Sequence, residues 1–186
     1  MKIVALPNVM EHFMEAFDSA RKNTGLYVSK DTEFYIVNML TEFTDADKFS
    51  KLYKTPVTLM VSRVFENPDE KLEISKNMGD ITSFMCGFFP EHLEKPIFRY
   101  YISLGKAGYA VASKIDNRKG KIFEEMKLKF PHVVDTLNEV KESKEIITGA
   151  DIVDIYNRWI KTGSKRLKRI LRENGMVEIN EPRFIQ

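Results

Sequence analysis

The residues able to do chemistry in this chain are few and scattered, and their spacing excludes most of the familiar schemes. Three histidines, His12, His92 and His132, stand far apart, and none follows a glutamate by three residues. A di-iron carboxylate bundle needs two such Glu-x-x-His pairs on facing helices, so that chemistry is not encoded here. No His-Glu-x-x-His and no Cys/His spacing for zinc occurs either, and neither a metal nor a cofactor is expected. The one cysteine, Cys86, lies between Ser83 and Gly87 on a face of small residues, where a buried inert thiol is the expected state. Gly163-Ser164-Lys165 is no nucleophile elbow, and Ser164 is expected to cap the last helix instead. Gly105 and Gly108 follow no strand and match no phosphate loop.

Two constellations remain. Asn38, Asp80, Tyr101 and Tyr109 fall on predicted helix faces that turn inward. They are expected to gather as a buried polar cluster, which either lines a ligand pocket or fixes helix register as a satisfied network, the latter favoured. Asp80 is the one acid between Met78 and Pro90 and is expected to be buried against a tyrosine hydroxyl or a backbone amide. The second constellation is a block from Arg158 to Arg172 that contains Lys161 and Arg166 and no acid. On a helix, Leu167, Ile170 and Leu171 form an apolar stripe, and Arg158, Lys165, Lys168, Arg169 and Arg172 make a candidate anion-binding face. Nucleic acid or a membrane surface would be its partner, although a solvated face is the commoner use of such a block.

The elements that must position these residues are helical almost throughout. Ser, Thr, Asp or Asn repeatedly precede proline or an acidic first turn, most clearly at Thr55-Pro56 and Asn67-Pro68-Asp69-Glu70. Helices are predicted at 8–22, 31–43, 45–53, 56–66, 68–89, 97–115, 118–129, 132–143, 149–161 and 164–173. Two-residue alternation is confined to Met176–Ile179, so an all-α, single-domain bundle of eight to ten helices with orthogonal or irregular packing is expected, with 174–186 as a tail.

In the segment 31–43, Phe34, Tyr35, Ile36, Val37, Met39, Leu40 and Phe43 point to all sides of the axis, the pattern of a helix enclosed by its neighbours. The helices around 79–87 and 105–112 each carry a ridge of small residues. They are predicted to pair antiparallel with close backbones, placing Gly79 and Asp80 near Gly108 and Tyr109, and Gly87 near Tyr101.

Several stretches together resemble a family of uncharacterised small helical bacterial proteins. They are Glu33-Phe34-Tyr35-Ile36-Val37-Asn38-Met39-Leu40, Gly79-Asp80, Gly87-Phe88-Phe89-Pro90-Glu91, Tyr100-Tyr101 with Gly105 and Tyr109, and Trp159 with Gly163-Ser164 and Leu167. The resemblance spans most of the chain and implies no activity, cofactor or catalytic residue.

The totals bound the remaining classes. The sequence has 186 residues, with 29 Lys and Arg against 27 Asp and Glu, a formal net charge of +2 that calls for no polyanionic partner at whole-chain level. A lone cysteine excludes an internal disulfide framework and suits the cytoplasm. The apolar run Ile3–Leu6 is too short for a secretory signal, and the charge-free stretch 81–90 is too short to span a bilayer. The expectation is a non-enzymatic helical protein for macromolecular interaction or self-association, with a homodimer if an apolar helix face lies exposed. The alternatives are an enzyme or small-ligand binder using the internal polar cluster, and a binder of nucleic acid or membrane surfaces through the basic helix.

Overall fold

A computed structural model describes residues 6–45, 49, 55–142 and 149–173. Among them are nine α-helices and no strand: α1 (Leu6–Thr24), α2 (Lys30–Phe43), α3 (Val57–Glu66), α4 (Lys71–Phe88), α5 (Lys95–Ile115), α6 (Gly120–Leu128), α7 (Phe130–Glu142), α8 (Gly149–Thr162) and α9 (Lys165–Glu173). Single 3-10 turns at Pro68–Glu70 and Pro90–His92 lead into and out of α4. The chain is all-α, as its pattern predicts. The helix expected at 45–53 lies, apart from Asp45 and Phe49, outside the described residues, as do the alternating stretch Met176–Ile179 and the tail 174–186.

Local chemistry sets the boundaries. Gly25 ends α1 at a φ of 74°, a left-handed conformation that glycine adopts without a Cβ clash. Ser29 then caps α2, its side chain accepting from the Thr32 amide, with Asp31 and Glu33 in the first turn. The same grammar recurs at the last corner. There Gly163 has a φ of 70°, and Ser164 Oγ accepts from the Leu167 amide at 3.1 Å. Pro96 sits in the first turn of α5, where its missing N–H costs nothing.

The centre of the molecule is the antiparallel pair α4 and α5. Six consecutive residues of α4, Met78 to Ser83, are buried, so this helix is enclosed on every side. A Cβ on Gly108 would lie 2.5 Å from the Ser75 carbonyl oxygen and 3.0 Å from the Gly79 nitrogen, which measures how closely the two backbones approach. A Cβ on Gly79 would lie 2.6 Å from the Tyr109 ring, and one on Gly105 would overlap Phe130 and Thr82. Interior glycine costs about 1 kcal/mol per residue in a helix, and this contact offsets it. Ser83 and Thr82 settle their hydroxyls on the carbonyls of Asp80 (2.9 Å) and Met78 (2.7 Å), which leaves both side chains short enough to bury.

Two expectations about this core are corrected. Gly87 does not serve the α5 contact alone. It receives α7, whose Leu137 Cβ would lie 2.5 Å from a Cβ at that position, because α7 runs along the other small face of α4. Nor is α2 fully enclosed: Tyr35, Ile36, Val37, Met39, Leu40 and Phe43 are buried, but Phe34 is 53% exposed. The enclosed helix is α4, and α2 packs on it with one face left to solvent.

Rings fill the gaps between helices. Tyr35 meets Phe123 edge-on at 5.5 Å, and Tyr109 stacks on Phe123 at 6.0 Å, tying α2, α5 and α6 together. Phe43, Phe84 and Phe88 form a second chain. A smaller apolar cluster stands apart, made by Ile155, Trp159, Leu167 and Leu171 of α8 and α9.

The glycine contacts generate a stability prediction. Gly105→Ala and Gly108→Ala each improve intrinsic helix propensity, yet each is expected to destabilise the protein by about 2 kcal/mol in urea unfolding, because backbone and ring atoms cannot give way. An unchanged or increased stability would show that the interface is looser than this packing requires.

Candidate functional site

The buried polar cluster forms around Asp80, with a different membership from the predicted one. Asp80 is 3% exposed. Its Oδ1 accepts from Tyr35 Oη at 2.5 Å and from Tyr109 Oη at 2.8 Å, and its Oδ2 accepts from Lys76 Nζ at 2.7 Å. Three helices therefore converge on one carboxylate: α4 supplies Asp80 and Lys76, α2 supplies Tyr35 and α5 supplies Tyr109. Lys76 also lies over the Tyr35 ring, 5.8 Å from its centroid.

Of the predicted members, Asp80 and Tyr109 meet and the other two do not. Asn38 is half-buried on α2, one turn beyond Tyr35, and is not among the partners of Asp80. Tyr101 is half-buried against the main core. The longer phenol of Tyr35 reaches an acid that the short amide one turn away does not. Tyr35 was legible only as an apolar helix residue, whereas Lys76 carried a signal, its i,i+4 spacing to Asp80.

The electrostatics follow from burial. Burial pushes the Tyr35 and Tyr109 hydroxyls well above the ordinary tyrosine range, and the negative charge of Asp80 adds to the effect. Burial alone would lower Lys76, but the charge and hydrogen bond of Asp80 outweigh it and leave the ammonium raised. Burial also pushes the Cys86 thiol up, and Cys86 is 0% exposed, so it is not a reactive thiolate.

Both oxygens of Asp80 carry donors, and the Tyr109 ring is pressed against Gly79. This geometry fits a register-fixing network better than a ligand site. An open cleft of about 350 Å³ does exist nearby, lined by Thr55, Met60, Arg63, Glu70, Glu73, Ile74 and Asn77, and none of the cluster residues lines it. Its charges partly satisfy one another, with Arg63 3.7 Å from Glu70 and donating to Thr55 at 3.2 Å. Among the described residues no group of three or more His, Cys, Asp and Glu is placed to hold a metal ion. No described helix is long and apolar enough to cross a membrane.

The basic block divides into an inner and an outer set. Arg158 and Arg166 are 8% and 4% exposed and point inward onto α7, so Arg158 leaves the predicted outer face. Arg166 reaches Glu139 at 2.8 Å, Glu142 at 2.9 Å and the Asn138 side-chain oxygen at 2.5 Å. Arg158 pairs with Glu142 and donates to the same Asn138 oxygen at 2.6 Å. The Asn138 amide in turn donates to the Gly87 carbonyl at 3.0 Å. The acids on α7, at positions 135, 139 and 142, recur at three- and four-residue intervals and so share one face, a signal present in the sequence but unread there. Lys165, Arg169 and Arg172 are exposed and Lys168 is half-buried, so these four form the outer face. Arg169 also donates to the Asn23 carbonyl at 2.9 Å, linking α9 to the end of α1.

Comparison with known proteins adds no assignment: no protein-family model, curated protein or solved structure matches the chain.

The Asp80 network has two measurable consequences. Asp80→Ala leaves two buried hydroxyls and an ammonium without their acceptor and is expected to cost about 3 kcal/mol in urea unfolding, against about 1 kcal/mol for Tyr35→Phe. In the folded state the tyrosine values are raised, so their contribution is fully present below the unfolded value of 10.0 and is lost as the pH rises toward the folded one. Monitoring tyrosinate absorbance should therefore show two of the seven tyrosines ionising only as the protein unfolds in alkali. Ionisation of all seven in the native state would contradict the network.

Proposed function

We propose that this protein is an interaction module that binds the phosphate backbone of nucleic acid through the outer face of α9. The observation that carries the reading is the division of the basic block. The acids of α7 take up Arg158 and Arg166, while Lys165, Arg169 and Arg172 stand exposed on the outer side of α9, Arg169 with one guanidinium nitrogen on the Asn23 carbonyl.

These three residues follow one another at four- and three-residue intervals, which sets them in one stripe along the helix. At 1.5 Å per residue the stripe is about 10 Å long. One strand of a duplex presents a phosphate about every 3.4 Å of axis, so the stripe matches about three of them. Arginine and lysine both suit phosphate, arginine through its bidentate fork.

The same helix argues against a membrane surface as the partner. An interfacial helix inserts an exposed apolar face, but Leu167 and Leu171 are 2% and 0% exposed and belong to the α8–α9 core. What α9 offers outward is charge without an insertion surface.

Fluorescence anisotropy with short DNA and RNA probes at about 50 mM salt tests the reading directly. Binding is expected to weaken as salt rises, with a log–log slope of about −3 for three phosphate contacts. The double variant Lys165→Glu, Arg172→Glu is expected to lose more than about tenfold in affinity while its thermal unfolding stays unchanged, since both side chains are exposed. Absence of binding, indifference to the charge reversal, or binding to anionic vesicles alone would each remove the proposal.

A further inference from the structure

We infer that the α8–α9 hairpin is a separately opening clasp, held to the body by two arginines seated in an acidic notch on α7, and that a competing guanidinium compound releases it while the body stays folded.

The first argument is the division of the core. Ile155, Trp159, Leu167 and Leu171, with Tyr156, Ile160 and Ile170 packed against them, form a cluster distinct from the one that joins the other helices. Apolar burial is what makes helices cooperate in unfolding, and among the described residues the two clusters do not merge.

The second argument is what crosses that boundary. Arg158 and Arg166 meet Glu139, Glu142 and Asn138, and Arg166 Nε lies 3.6 Å from Asp135. Ser164 donates to Asp135, Lys161 donates to the Pro90 carbonyl at 2.8 Å, and Arg169 donates to the Asn23 carbonyl. These described side-chain contacts are directional and polar, and they stand beside a close approach of α8 to α5. A buried ion pair gives back in attraction roughly what desolvation costs, so the clasp is specific in geometry but weak in net free energy. The Arg166 side chain is 2% exposed, and the three acids around it keep 14–15% of their side-chain surface in contact with solvent, the edge at which a competitor would first meet them.

The release agent follows from the chemistry. Lowering the pH is not the trigger that Asp135 favours: burial raises its carboxyl above the usual range, against the opposing pull of Ser164, Arg166 and His132. A carboxyl raised in the folded state binds its proton more readily there, so through that group acid adds stability rather than removing it. A free guanidinium ion is the arginine head group without its chain and has the same planar fork for carboxylates, which sodium lacks.

The hairpin carries its own reporter. Trp159 is the single tryptophan of the chain and is 2% exposed within the small cluster. Helices of 14 and 9 residues do not persist alone in water, so release exposes Trp159.

The test titrates the full chain with guanidinium chloride and, separately, with sodium chloride at matched ionic strength, following Trp159 emission and far-UV circular dichroism. The expected result is a red shift of Trp159 emission at a guanidinium concentration well below the main loss of helix, with a smaller shift in sodium chloride. Arg166→Met is expected to show the red-shifted emission without denaturant while keeping the ellipticity of the other helices and its two non-titrating tyrosines. One coincident transition in guanidinium overturns the inference, as does equal action of the two salts, or an Arg166→Met chain that is wholly unfolded or has native Trp159 emission.

Discussion

The close approach of α4 and α5 is the constraint on which the other contacts rest. It exists because Gly79 and Gly108 lack a Cβ at the point where the two backbones meet, with the Ser75 carbonyl and the Gly79 amide taking the space a side chain would occupy. The Tyr109 ring then lies flat over Gly79, and its hydroxyl falls within reach of Asp80 one residue further along α4. From that carboxylate the order spreads outward. Tyr35 brings α2 to it, and Phe123 of α6 packs on both tyrosine rings. A carboxylate buried to this degree is unfavourable unless its oxygens are matched by donors, so the network holds a single register of three helices.

Around this centre the molecule uses two kinds of adhesion. The body from α1 to α7 is joined by a shared apolar core, and α7 is set against α4 by Leu137 over Gly87. The α8–α9 hairpin has its own small core, lies against α5 through α8, and is pinned to α7 by two buried arginines among its acids. The two adhesions intersect at Asn138, which bonds the Gly87 carbonyl on one side and both buried arginines on the other. The basic block therefore has two tasks. Its inner arginines close the hairpin on α7, and its outer residues Lys165, Arg169 and Arg172 form the exposed face on which the proposed phosphate binding rests.

Much of the fold was legible in the sequence because helix signals are local. Ser, Thr, Asp or Asn before a proline or an acidic first turn, and the Ser164 cap, marked the ends of helices to within a few residues. The matching small ridges of α4 and α5 were legible too, since several glycines inside helices require a packing reason. Phe34 and Gly87 escaped because local pattern does not say which neighbour covers a face: α7 packs on Gly87, and Phe34 is left 53% exposed among the described residues. In the polar cluster, Asp80 was visible as a lone acid in an apolar run. Tyr35 is hidden by its own hydrophobicity, and the polarity of Asn38 within an apolar helix suggests a buried role although the residue is only half-buried. The inward turn of Arg158 and Arg166 is not legible in the basic block alone, because it depends on acids spaced along α7, a separate segment.

Native-state hydrogen exchange measures the central dependence most directly. If the glycine-notched contact and its carboxylate hold the body together, the amides of 78–86 and 104–112 exchange slowest and through the same global opening, with α1 and α9 exchanging earlier. If those two stretches instead open independently of each other, or exchange as fast as α1, then the α4–α5 contact is not what the structure rests on.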